Sequence, residues 1–149
     1  ASDIVSGVLD GARVPTGTSG QVVGSSTNYT LTGSFVAVTF GAGSPTLTLA
    51  AGTYLLIART VYIAAENTKT TVALDLYNST DAAILSGSDV VQVVAHAPSL
   101  FYPTVDIGTS CIVTLAGTKT IVLRASETVV TNYGVLAATY TNFQYIKLA

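Results

Sequence analysis

The stretch of sequence that decides the fold runs from Leu47 to Asn78 and reads LTLAAGTYLLIARTVYIAAENTKTTVALDLYN. It predicts a turn at Ala51-Gly52, a long strand, a polar turn and a second strand. Side chains alternate between the faces of a strand, so the long strand carries two sets: Tyr54, Leu56, Ala58, Thr60 and Tyr62 on one face, and Leu55, Ile57, Arg59, Val61 and Ile63 on the other. An antiparallel strand with one wet face should alternate apolar and polar residues. We therefore expect both faces to be covered, one by the core and the other by a second copy of the chain.

The composition of this 149-residue chain indicates a single domain whose apolar surface would be buried by oligomerisation. Asp, Glu, Lys and Arg make up only 9% of the residues, against about 25% in typical soluble domains. Hydrophobic residues make up 49%, yet no apolar run reaches the ~18 residues that a spanning helix needs. The net charge is −2 and the six Lys and Arg residues are dispersed, so neither nucleic-acid binding nor membrane insertion is expected.

The remaining sequence predicts strands and no amphipathic helix. Segments rich in Val, Thr and Tyr alternate with turns rich in Gly, Asn, Ser and Asp. The predicted strands cover residues 35–40, 46–49, 53–65, 70–78, 82–86, 90–95, 109–116, 119–125 and 138–148. This pattern predicts an all-β sandwich or jelly roll, with a head domain at residues 31–149. Residues 1–30, rich in small residues, are expected to form a shaft or linker.

Alternation within the later strands predicts their core-facing sides. Core stripes are expected at Val72, Leu74 and Leu76, at Cys111, Val113 and Leu115, and at Ile121, Leu123 and Ala125. The last strand carries Phe143 and Tyr145 on one side and Asn142, Gln144 and Ile146 on the other, and these mixed faces suit a strand at a subunit seam. Cys111 is the only cysteine, so the chain forms no internal disulfide and no thiolate zinc site. In its apolar strand it is expected to be a small buried hydrophobe.

Four motifs in this order resemble those of C1q-like domains: Leu49-Ala50-Ala51-Gly52-Thr53-Tyr54, Thr71-Val72-Ala73-Leu74-Asp75-Leu76-Tyr77-Asn78, the hairpin 112–123, and the closing strand 140–146. The chain departs from that family's pattern at Gln144, where Gly is usual, and at Thr118, where Asp is usual. The resemblance to the C1q and tumour-necrosis-factor group implies a ten-stranded jelly roll that forms a homotrimer. It places aromatic inner strands at the three-fold axis, and we accordingly expect these trimer-interface residues: Tyr54, Leu56, Arg59, Tyr62, Phe143 and Tyr145. The opposite face of the long strand is the alternative contact surface.

The N-terminal segment IVSGVLDGARVP, residues 4–15, resembles an element of bacteriophage tail and head fibres that precedes a globular tip. This resemblance implies a phage fibre or receptor-binding tip in the virion, joined to other virion proteins through the N-terminal shaft. The chain contains no methionine, which is expected of an excised C-terminal piece of a longer fibre.

No constellation of catalytic or metal-binding residues is visible in the sequence. His96 is the only histidine, the carboxylates are dispersed, and no phosphate-binding or calcium-binding motif occurs. We therefore expect no enzyme activity, no cofactor and no metal. Arg59 has two interpretations: its stem packs while its head reaches solvent, or it forms an inter-subunit ion pair, with Asp75 as the candidate partner.

Exposed loops are the expected receptor-binding sites, because rigid aromatic side chains are favoured contact residues. The predicted site residues are His96, Phe101, Tyr102, Asn132, Tyr133, Asn67 and Lys69. The alternative for Phe101 is that it closes one end of the sandwich. The predicted function is phage adsorption through binding of a host-surface saccharide or protein. The alternatives are a purely structural virion module, a secreted C1q-like signalling ligand and, third, a depolymerase.

Overall fold

The structure, a computed structural model, describes residues 19–23, 27–40, 44–65, 70–94, 104–128 and 133–149. In these ranges the chain forms one short 3₁₀ turn, Ala138–Tyr140, and strands that build two antiparallel sheets. The strands are β1 (Ser19–Val23), β2 (Tyr29–Thr30), β3 (Val36–Ala37), β4 (Thr46–Leu49), β5 (Gly52–Ile63), β6 (Thr70–Asn78), β7 (Ala83–Ile84), β8 (Val90–Val94), β9 (Thr104–Leu115), β10 (Lys119–Thr128), β11 (Val135–Leu136) and β12 (Asn142–Lys147). The all-β prediction is confirmed for the described residues.

The long strand β5 is the centre of the first sheet. β9 pairs with it along its whole length, from Gly52 opposite Leu115 to Ile63 opposite Thr104. β12 and β11 pair with successive parts of β5. β1 continues the sheet beyond β12, and β2 continues it beyond β11.

The second sheet is organised around β10. β6 pairs with β10 from Asn78 opposite Ile121 to Thr71 opposite Thr128. β3 and β4 pair with other parts of β10, while β7 and β8 pair with β6. The two sheets share no strand, so the fold is a sandwich of two layers.

The core lies between the two sheets and follows the predicted alternation. The inward side chains of β5 are buried, as the burial alternation along the strand shows. The predicted stripes at residues 72–76, 111–115 and 121–125 contribute to one core cluster. Phe143 and Tyr145, for which the sequence predicts a subunit seam, belong to the same cluster. Cys111 is buried there as a free cysteine, as predicted.

The sandwich begins earlier in the chain than the predicted boundary between residues 30 and 31. β1 pairs with β12, with Ser19 opposite Ile146, and β2 pairs with β11. Residues 19–23, 29 and 30 are therefore sheet residues rather than shaft. Each strand is short, with the sequences SGQVV and YT, so neither shows the apolar alternation from which a strand is predicted. The part of the predicted shaft at residues 1–18 lies outside the described residues.

Several other predicted strands differ in their bounds, including 35–40, 82–86 and 119–125, and the largest shifts occur in two others. The predicted strand 109–116 begins at Thr104, because backbone pairing with β5 continues through the polar residues Asp106 and Gly108. The predicted strand 138–148 starts with the 3₁₀ turn and becomes a strand only at Asn142. Thr141 stabilises this junction: its hydroxyl donates to the Ala137 carbonyl at 2.9 Å and lies 2.7 Å from the Thr60 hydroxyl.

Candidate functional site

The predicted loop site is described only at Tyr133, whose side chain is 40% exposed. The other predicted receptor-binding residues lie outside the described residues: His96, Phe101, Tyr102, Asn132, Asn67 and Lys69. Receptor binding through these loops therefore stays a prediction.

Five of the six residues predicted at a trimer interface are buried within the single chain. Tyr54, Leu56, Tyr62, Phe143 and Tyr145 are all buried in the core of a single chain. The rings of Tyr54 and Tyr145, for example, meet edge to face with centroids 5.9 Å apart. A side chain that its own chain already covers offers no contact area to a neighbour. The alternative surface, the opposite face of β5, is only half-buried or exposed along the described strand.

This opposite face, which we call the outer face of the first sheet, is formed by the outward side chains of β5, β9 and β12. Leu55, Ile57, Val61 and Ile63 are half-buried on it, and Ile112 is 66% exposed. It holds an open groove of about 980 Å³ that runs from Leu55 to Val61 along β5 and is flanked by β9, Tyr140 and Gln144. The outer face thus combines exposed and half-buried apolar side chains with hydroxyl, amide and two charged side chains.

Arg59 is the cation of the outer face. It is exposed and stands directly opposite Gly108 on β9 and Asn142 on β12. A Cβ at position 108 would lie 3.3 Å from the Cγ of Arg59 and 2.9 Å from the Ala58 carbonyl oxygen. Glycine at this position therefore leaves room for the Arg59 stem against the sheet. In the described part of the chain, Arg59 has no ion pair within the salt-bridge distance.

Asp75 is not the partner of Arg59, contrary to the prediction. It lies in the second sheet, opposite Arg124 on β10, and is 1% exposed. Arg124 donates from Nε to Oδ1 at 2.9 Å and from Nη2 to Oδ2 at 2.6 Å. The hydrogen bonds to Asp75 raise the pKa of Arg124 above its already high ordinary value. The guanidinium also lies 3.9 Å from the centroid of the Tyr77 ring, so the pair is satisfied and covered within one chain.

A buried carboxylate cluster, which the sequence did not predict, joins the two sheets at one end. Glu127 on β10 is 1% exposed. Its Oε1 accepts a short hydrogen bond from the Tyr62 hydroxyl on β5 and a 2.9 Å bond from the Thr70 hydroxyl. Its Oε2 accepts from the backbone N–H of Gly134 at 2.6 Å. A buried carboxylate is tolerated only when its oxygens are hydrogen-bonded. Because Glu127 belongs to β10 and Tyr62 to β5, these hydrogen bonds link the two sheets.

The described residues offer little for catalysis or metal binding. No three His, Cys, Asp or Glu side chains converge within them to hold a metal ion. Burial raises the pKa of the Cys111 thiol, which disfavours the nucleophilic thiolate. In the described ranges, no helix has the length and apolar character required to cross a bilayer.

Comparison with known proteins is informative for the fold. No protein-family model and no curated protein sequence matches this chain. Among the solved structures that are similar to it is Eiger TNF from S. frugiperda, with a TM-score of 0.55 at 11% sequence identity. The likeness covers 91% of this chain and 94% of that chain. The chain therefore has a jelly-roll fold like that of tumour necrosis factor.

Proposed function

We propose that this chain is the head of a homotrimeric attachment protein that binds a partner on a cell surface and carries out no chemistry. The observation that carries the proposal is the outer face of the first sheet, where one long strand presents Leu55, Ile57, Val61 and Ile63 beside the exposed Ile112. Packing copies of the chain around these faces removes the apolar area from water. Loops at the ends of the sandwich then remain free for a partner.

In the form we favour, the attachment protein is a phage fibre tip that binds a host saccharide or protein during adsorption. Support for the phage origin comes from the sequence alone, namely the fibre-like element at residues 4–15. The site of action is then the virion, and other virion proteins bind the N-terminal segment. Three weak sites on one rigid head, repeated over several fibres, would raise avidity without tight single contacts.

A secreted ligand of the C1q and tumour-necrosis-factor type is the second candidate. The likeness to Eiger TNF supports it at least as well as it supports the phage form, because that likeness concerns the fold alone. A purely structural virion module is the third. All three share the self-associating head and differ in what the loops bind.

Two measurements test the proposal. Light scattering of the full 149-residue chain should give three times the chain mass, and a monomer at all concentrations would refute the self-associating head. Whole-cell and glycan-array binding should then separate the candidates: binding to a bacterial surface supports the phage form, and binding only to animal-cell receptors supports the secreted form. No binding to any surface supports the structural module.

The one described loop residue gives a site-directed test. Tyr133→Ala should weaken cell binding, because an exposed aromatic contact is lost. Phe35→Ala is the matched control, since Phe35 is a similarly exposed aromatic residue at 43% and directly precedes β3, with its ring centroid 5.6 Å from the Arg124 guanidinium of the second sheet. Equal binding by both variants would remove Tyr133 from the site.

A further inference from the structure

We infer that Arg59 of one copy forms an ion pair with Asp106 of the neighbouring copy when two outer faces meet. The inference rests on the self-associating head proposed above and names the charged contact that orients it. Each copy would contribute one member of the pair to each seam, so that the seam is incomplete without the second chain.

The first step is the scarcity of charge on the outer face. Of the outward side chains on β5, β9 and β12, only Arg59 and Asp106 are charged; the others are apolar, hydroxyl or amide side chains, or glycine. Arg59 and Asp106 are both exposed. The face therefore carries one positive and one negative charge among uncharged apolar and polar side chains.

The second step is that neither Arg59 nor Asp106 forms an ion pair with another residue in the described ranges. The ion pairs in the described part of the chain join Lys119 to Asp81 and Arg124 to Asp75. Asp106 stands opposite Val61, one outward position along β9 from Gly108, which faces Arg59. Covering this face with another protein surface removes water from both charges, which is costly unless each meets an opposite charge.

The third step identifies the partner. A second copy brings the same face, with one cation and one anion, and so supplies the missing opposite charge for each. The outer side of the second sheet lacks this property, because its Asp75 and Arg124 already satisfy each other. The unsatisfied and self-complementary charges thus single out the first sheet as the contact surface between copies.

Charge reversal on the full chain tests the pair. Arg59→Glu and Asp106→Arg should each raise the concentration at which the assembly dissociates by about tenfold or more, because like charges then face each other. The double variant restores opposite charges and should return this concentration to within about threefold of the wild-type value. The control exchanges the ion pair between β10 and the turn after β6, Lys119→Asp with Asp81→Lys, and should leave dissociation unchanged.

Analytical ultracentrifugation over a dilution series gives the dissociation concentration, and circular dichroism verifies that each variant is folded. If a reversal impairs folding, the neutral variants Arg59→Gln and Asp106→Asn take its place. Recovery in the double variant supports the pair. If the wild type assembles and the single variants dissociate at the same concentration as the wild type, the ion pair is overturned. The same follows if the double variant dissociates at a higher concentration than either single variant. Both results leave the proposal of a self-associating head intact. A wild type that is monomeric throughout overturns both.

Discussion

Removing the Tyr62 hydroxyl tests whether the Glu127 cluster fastens the two sheets. Tyr62→Phe deletes one oxygen atom and keeps the ring in the core, where Tyr62 is 1% exposed. Glu127 Oε1 then loses one of its two donors and keeps the Thr70 hydroxyl at 2.9 Å. The change therefore removes a hydrogen bond to a buried charge without creating a large cavity.

The expected loss follows from the kind of hydrogen bond that is removed. A hydrogen bond to a charged group contributes about 1.5–3 kcal/mol. Because Oε1 keeps a donor, we expect Tyr62→Phe to lower the free energy of unfolding by about 1.5 kcal/mol, at the low end of that range. Adding Thr70→Val removes the second donor and leaves the buried oxygen bare. The double variant should therefore lose more than the two single losses combined, with a coupling of at least about 0.5 kcal/mol.

Urea unfolding followed by far-ultraviolet circular dichroism measures these losses. All variants are compared at one protein concentration, because self-association would make the midpoint depend on concentration. Tyr140→Phe is the matched control: Tyr140 is 66% exposed, and the same chemical change there should cost less than about 0.5 kcal/mol. If Tyr62→Phe loses less than that value, Glu127 does not link the two sheets as argued. The same holds if the loss in the double variant equals the sum of the two single losses.

Three further predictions concern the packing of single residues. Gly134→Ala should destabilise the fold by about 2 kcal/mol or more, because the added Cβ would lie 2.6 Å from a carbonyl oxygen of β5. Gly117→Ala is the control: its Cβ would meet open space, so the same urea assay should show little effect. Arg124→Leu should cost about 3–5 kcal/mol in unfolding free energy, since it leaves the buried Asp75 unpaired, and a loss below 1 kcal/mol would contradict this. Cys111 should resist a thiol-specific reagent at pH 8 in the native state and react rapidly in urea, because burial raises the pKa of its thiol; equal rates in both states would be inconsistent with its place in the core.

The sequence predicted best the features that depend on alternation along one strand. β4 and β6 have the predicted bounds, and β5 differs by one or two residues at its ends. The two faces of β5 were also separated correctly, because the period of two is a local property of extended backbone. Which face meets the core is not local: it depends on the sheet that packs against it, and here the face with Tyr54 and Tyr62 is the one that packs inward.

The missed features depend on register between strands that are distant in sequence. Asp75 meets Arg124 because β6 and β10 pair in one register, and no pattern along either strand specifies that register. Glu127 was missed for a simpler reason. The predicted strand stopped at Ala125, whereas β10 continues to Thr128. Extending the period of two by one step from Ala125 would have placed Glu127 inward, where the structure has it.

The charged residues of this chain give the strongest reason to look for a second copy on the first sheet. A surface exposed to water is normally about 25–35% charged, yet the outward sides of β5, β9 and β12 carry only Arg59 and Asp106. Elsewhere, Asp75 and Glu127 are buried and fully hydrogen-bonded within the chain. In a chain with so few charges, Arg59 and Asp106 thus stand out as opposite charges that form no ion pair among the described residues. Two copies that meet through this face match the pair, whereas a neutral partner would leave both charges uncompensated, so the charge-reversal experiment separates these cases.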